Sequence, residues 1–190
     1  HVDMGTNRGR AAAANAGVDS ATGRHICFLD DDDLVEPEHF ETLVALASSA
    51  GVRVAYTDAA VGIYELDAAG GWTEVDRRLP YSRDFDPELL VVDNYIPFNT
   101  LVIDRDLFTE VGAFDPDLEF FEDWDFLIRL AGATPFHHLP KVTAEYRHFR
   151  GSGHHILGED PRRRSDFLAM KARIIERHRD RLGSAVVARI

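Results

Sequence analysis

Leu29-Asp30-Asp31-Asp32-Asp33-Leu34 is the stretch that decides how the rest of the chain is read. Four adjacent carboxylates repel one another, and they stay ionised near neutral pH only with solvent or a cation close by. The residues before them, Arg24-His25-Ile26-Cys27-Phe28-Leu29, pass from polar to apolar and predict a short buried strand. The acids then fall where a strand leaves its sheet, and in open α/β sheets ligands bind at that end. Carboxylates are hard oxygen ligands suited to Mg²⁺ or Mn²⁺, and Mg²⁺ is commonly shared between one or two carboxylates and substrate phosphates. The run therefore reads as a metal site that would grip a diphosphate. Two other readings compete. A solvated acidic loop with one aspartate capping the next helix needs no ligand. A calcium loop counted from Asp30 lacks both the acid at its fifth position, which is Leu34, and the glycine at its sixth, which is Val35.

Outward from this run, Gly9 to Ala21 predicts an alanine-rich helix, and Gly23 separates it from the strand. Pro37 opens an amphipathic helix over 37–49, with Phe40, Leu43, Val44 and Ala47 at helical spacing. Strands are expected over 52–57, 63–66 and 72–75, the last two flanking a turn at Asp67 to Gly71. A loop over 77–85 precedes a short helix capped by Asp86, a strand over 100–103, a short helix over 106–111 and a turn over 112–116. Phe120 to Ala131 predicts a helix with Trp124, Leu127 and Ile128 on its apolar stripe. A strand over 143–149, a histidine-bearing loop over 150–160 and a long helix over 161–181 complete an α/β pattern.

The 190 residues bear a net charge of −12, which argues against a general affinity for nucleic acid or anionic membranes. The lone cysteine, Cys27, lies in the predicted buried strand and reads as a small core hydrophobe. With no apolar run long enough to span a bilayer, the expectation is a cytoplasmic protein, or one peripheral to the inner membrane face.

A second acidic cluster, Phe121-Glu122-Asp123-Trp124-Asp125, opens the predicted helix 120–131. Acids in a first helical turn are stabilised by the helix dipole, which alone would explain them. A carboxylate kept ionised there can also take a proton from a hydroxyl held within hydrogen-bond reach. Trp124 sits on the apolar stripe, a place more often taken by a core residue than by a sugar platform.

Taken together, these segments carry a family likeness. Asn7-Arg8-Gly9, Ala13-Ala14-Asn15-Ala16-Gly17 and Leu29 to Asp33, followed by Asn99 to Ile103, Val111 to Asp115 and Glu122-Asp123-Trp124-Asp125 with Arg129, resemble the family 2 glycosyltransferases of GT-A fold. The two acidic motifs lie about ninety residues apart with the family's intervening pattern. The resemblance implies a Rossmann-like sheet flanked by helices, in an inverting enzyme that moves a sugar from a nucleotide-diphosphate donor to an acceptor hydroxyl. It implies a Mn²⁺ or Mg²⁺ cofactor with Asp32 as ligand, donor contacts from Asn7, Gly9, Asn15, Asp30 and Asp31, and Asp123 as catalytic base. Glu122 and Trp124 become candidate acceptor contacts. The acceptor would be a saccharide, a lipid-linked molecule or a protein. Where the family often has arginine before the helix asparagine, this chain has Ala14, so the missing charge would come from Arg8 or Arg10 or be absent. Related enzymes often supply a late histidine to the metal, and His148 and His154 are the candidates here. His137 and His138 read as structural or exposed. The processive-synthase signature Gln-x-x-Arg-Trp is absent, which argues for transfer of single sugars.

The family's first strands, which read the nucleotide base, have no counterpart, so an N-terminally incomplete domain is expected over 1–190. Its metal and donor side would span 1–58, a hairpin-and-loop insertion 59–98, the acceptor and base side 99–160 and a helical segment 161–190. Such a chain would be weakly active alone, and a second copy could cover the bare sheet edge. Two other functions use similar elements: a nucleotidyltransferase, and a non-catalytic nucleotide-sugar-binding or assembly module of the same fold.

Overall fold

A computed structural model describes residues 1–150 and 161–183. In chain order the elements are α1 (Arg10–Ser20), β1 (His25–Ile26), β2 (Leu34–Val35), α2 (His39–Ala47), β3 (Val54–Leu66), β4 (Trp72–Tyr81), α3 (Pro87–Val92), β5 (Leu101–Asp104), α4 (Asp106–Glu110), α5 (Glu122–Ala133), β6 (Phe136–Phe149) and α6 (Pro161–Arg177). Short 3₁₀ turns at Phe98–Thr100 and Arg179–Arg181 precede β5 and follow α6.

One sheet organises the molecule, in the order β1-β5-β3-β6-β2, with β4 paired to the outer half of β3. β3 and β6 are parallel, and every other pairing is antiparallel. Side chains of a strand alternate between faces, so β3 and β5 feed two cores. Val54, Tyr56, Leu101 and Ile103 enter the larger core with α3, α4, α5 and α6. Ala55 and Val102 enter the smaller one with Leu43 and Ala47 of α2. A strand covered on both faces lacks polar alternation, which is why β3 is buried from Val54 through Gly62.

Several expected boundaries move. The predicted strands 52–57 and 63–66 are one strand, because β6 pairs with β3 continuously from Val54 to Tyr64. Residues 77–81, expected in a loop, belong to β4. β6 starts at Phe136 and passes Pro140 by a register shift, since proline has no N–H for the ladder. The expected strand 24–29 shrinks to two residues at the sheet edge, although Phe28 still packs against Phe98 and Phe114. Pro140 and Lys141 take no ladder partner, Thr57 pairing with Leu139 and Asp58 with Val142.

Candidate functional site

The acidic run forms a tight turn. The Asp33 N–H donates to the Asp30 carbonyl at 3.2 Å, which leaves Asp31 and Asp32 at the corner. β2 then pairs with β6, and this pins the turn against the sheet. Arg147 of β6 holds it twice: its Nε donates to the Asp32 carbonyl at 2.5 Å, and its backbone N–H to Asp33 Oδ1 at 3.2 Å. Asn99 Nδ2 donates to the other Asp33 oxygen at 2.8 Å. Asp33 is thus buried while Asp30, Asp31 and Asp32 are exposed. Burial, together with the charges of Asp32 and Asp30, pushes the Asp33 carboxyl up to about 6 against the pull of its two N–H donors.

Asp30, Asp32 and Asp33 each place one carboxylate oxygen within 4.8 Å of the others. An all-oxygen carboxylate set with two exposed members fits a hard divalent cation. Asp31 is outside this set, and so is His148, which stands on β6 with its ring edge-on to Tyr146. His154 lies outside the described residues.

The second cluster faces the first. Phe121 sits before α5 in the left-handed backbone region, at φ 65°, and its ring rests against Trp124 and Phe167. A bulky residue in that region is strained, and such strain tends to occur at functional sites. The three acids of the first turn diverge. Glu122 is buried and pairs with Arg10 at 3.2 Å. Asp123 is half-buried, and its Oδ1 accepts the Trp124 N–H at 2.7 Å. Asp125 is fully buried, pointing away into a network with Arg129, Arg177 and His178. Burial raises the carboxyls of Glu122 and Asp123 above their ordinary range; Arg10 works against the rise in both.

Arg10 joins the two clusters, because its NH2 also lies 3.7 Å from Asp30. Burial alone would lower its guanidinium, but Glu122, Asp123 and Asp30 outweigh that and raise it. A cavity of about 620 Å³ runs between the clusters, with Asp30 to Asp33 on one wall, Asp123 and Phe121 on another, and Tyr146 beside them. A second cavity of about 240 Å³ adjoins it and shares Arg10, Asp30, Asn99 and Asp123.

Four expected contacts lie elsewhere. The Trp124 indole is fully buried and donates to the Leu90 carbonyl at 2.6 Å, so it is a core residue and cannot touch an acceptor. The Asn15 amide is engaged at both ends by the backbone of Phe114, 2.9 Å each way, which ties α1 to the 112–116 turn. Asn7 accepts the Gly9 N–H at 3.0 Å, and Gly9, at φ 86°, turns the chain into α1; neither lines either of these two cavities. Sequence reasoning singled out neither Asn99 nor Asp33 as distinct members of the site. Asp33 looked like its three neighbours, and only the fold shows which aspartate is buried.

The sequence profile described as glycosyltransferase-like family 2 matches residues 1–155. The chain belongs to that family. The Bacillus subtilis protein named uncharacterized glycosyltransferase YwdF is 30% identical over 178 residues, which is 93% of this chain and 63% of that protein. The chain therefore spans less than two thirds of that relative. The succinoglycan biosynthesis protein ExoO of Rhizobium meliloti is 39% identical over 54 residues, 28% of this chain and 16% of its own. Among solved structures, S. aureus TarS superposes with a TM-score of 0.56 at 18% identity, covering 76% of this chain and 25% of that one. A TarS 1–349 structure in complex with UDP-GlcNAc gives 0.53 at 17% identity, covering 76% and 40%. This likeness places the mixed sheet and its helices among GT-A glycosyltransferase folds. No helix of the described residues is long and apolar enough to cross a membrane.

Proposed function

We propose that this chain is the catalytic portion of an inverting glycosyltransferase that moves a sugar from a nucleoside-diphosphate donor to an acceptor hydroxyl. The observation that carries the reading is that two acidic clusters, distant in sequence, line one cavity and are bridged by Arg10. The TarS neighbours solved with UDP and with UDP-GlcNAc support a nucleotide-sugar donor. Asp30, Asp32 and Asp33 would hold Mn²⁺ or Mg²⁺. When bound, the cation supplies neutralisation of the charge that develops on the departing diphosphate. Arg10 adds a fixed positive charge on the same side, where a developing anion is stabilised by pre-placed charge.

Asp123 takes the acceptor's proton. A carboxyl raised by burial is a stronger base than a solvated one, and so closer to the neutral range where proton transfer is efficient. The deprotonated hydroxyl attacks the anomeric carbon opposite the leaving diphosphate, so a single displacement inverts the configuration. Glu122, buried and paired with Arg10, holds that cation between the two walls.

Replacing Asp123 with asparagine in the full-length enzyme tests the assignment, because the amide keeps the shape and the bond to Trp124 N–H but cannot accept a proton. Transfer should be abolished while calorimetric binding of Mn²⁺ and the nucleoside diphosphate survives. Transfer that persists in the variant refutes Asp123 as base.

A further inference from the structure

The smaller cavity is unlike its neighbour. Its apolar lining is the rings of Phe28, Phe98 and Phe114 and the short side chains of Ala13 and Ala14 on α1. Phe98 packs against Phe28 at 4.8 Å between centroids, and Phe28 meets Phe114 edge-on at 5.5 Å, so the three rings form a fixed aromatic surface. Its polar lining includes Asp30 and Asp123, the residues between which a transferred sugar would sit. A sugar hydroxyl pressed onto phenyl rings would lose its water partners without replacement. A methyl group placed there would be stabilised by leaving water.

We propose that this cavity receives a methyl-bearing substituent of the donor sugar, the chemistry shared by an acetamido group and a 6-deoxy carbon. The inference rests on the nucleotide-sugar reading above and adds the sugar class to it.

The test is a calorimetric comparison in the presence of Mn²⁺. UDP-N-acetylglucosamine is set against UDP-glucose, dTDP-6-deoxyglucose against dTDP-glucose, and UDP and dTDP serve as references. One methyl filling an apolar pocket is worth about tenfold or more in discrimination. The expected result is a preference of about that size within one pair, and the pair that shows it tells acetamido from deoxy. Ala14→Leu should fill the cavity and remove the preference, leaving the affinity for the bare diphosphate unchanged. Ala13→Leu, at an exposed position, provides the same obstruction should the first variant fail to fold. Equal affinities within both pairs overturn the proposal, as does a preference that survives both substitutions in folded protein. Nucleotide binding without sugar preference refutes this inference alone. Failure to bind any nucleotide refutes the glycosyltransferase reading and this inference with it.

Discussion

Replacing Asp33 with asparagine should stabilise the metal-free protein at neutral pH while destroying its response to metal. Asp33 is 8% exposed, and its carboxyl is pushed up to about 6. Against an ordinary aspartate near 3.9, that is about two pH units, or about 3 kcal/mol of cost to the ionised folded state. The folded state binds the proton more tightly than the unfolded one. The favourable contribution of the protonated form is therefore complete below about pH 4 and lost as pH rises to about 6. Asparagine avoids that cost but offers a single acceptor oxygen. Either Asn99 Nδ2 or the Arg147 N–H then loses its partner, at about 1 kcal/mol. The net expectation is about 2 kcal/mol of stabilisation above pH 6, or about 4–8 °C in melting temperature for a chain of this size. Thermal melts in EDTA from pH 3.5 to 8 should show the advantage shrinking to nothing, or reversing, towards the acid end. Saturating Mn²⁺ should raise the melting temperature of the parent protein and not that of the variant. A variant less stable than the parent at pH 7 in EDTA, or one that Mn²⁺ stabilises equally, would refute the reasoning.

Other outcomes follow from the same geometry. Asp125→Ala leaves Arg129 and His178 without their buried partner and should cost about 3–5 kcal/mol, read by urea unfolding. Trp124→Phe removes the bond to the Leu90 carbonyl and should cost about 1–3 kcal/mol; calorimetry should find nucleotide affinity unchanged, since the indole faces the core. Arg10→Met leaves the buried Glu122 carboxylate without its ion-pair partner and should cost about 1–3 kcal/mol, read by urea unfolding. It removes the charge that opposes the rise in Glu122 and Asp123, so the acid limb of the transfer pH profile should move to higher pH.

Local patterns in the sequence carried much of this fold. Helical spacing at Phe40, Leu43, Val44 and Ala47 and the alanine run after Gly9 located α2 and α1 within a residue or two. What periodicity could not show was continuity. β3 is buried on both faces, so nothing in its residues marks where the sheet core ends and the β4 hairpin begins. The two acidic clusters were legible as candidates, and the fold brings both to one cavity. The division of labour within each cluster was not legible. Asp33 and Asp125 are distinguished from their acidic neighbours only by burial and partners that come from β6, the turn before β5, and α6. The family resemblance implied Asn15 as a ligand contact, and Trp124 adjoins the acids of its helix, yet both complete backbone hydrogen bonds of the scaffold.

The most direct test of the central claim is anomalous diffraction from a crystal soaked with Mn²⁺ and a nucleoside-diphosphate sugar. The account predicts a manganese peak against the carboxylates of Asp30, Asp32 and Asp33, the diphosphate beside it, and the anomeric carbon between that site and Asp123. Manganese bound elsewhere, or a donor seated with Asp123 out of reach of its sugar, would contradict it.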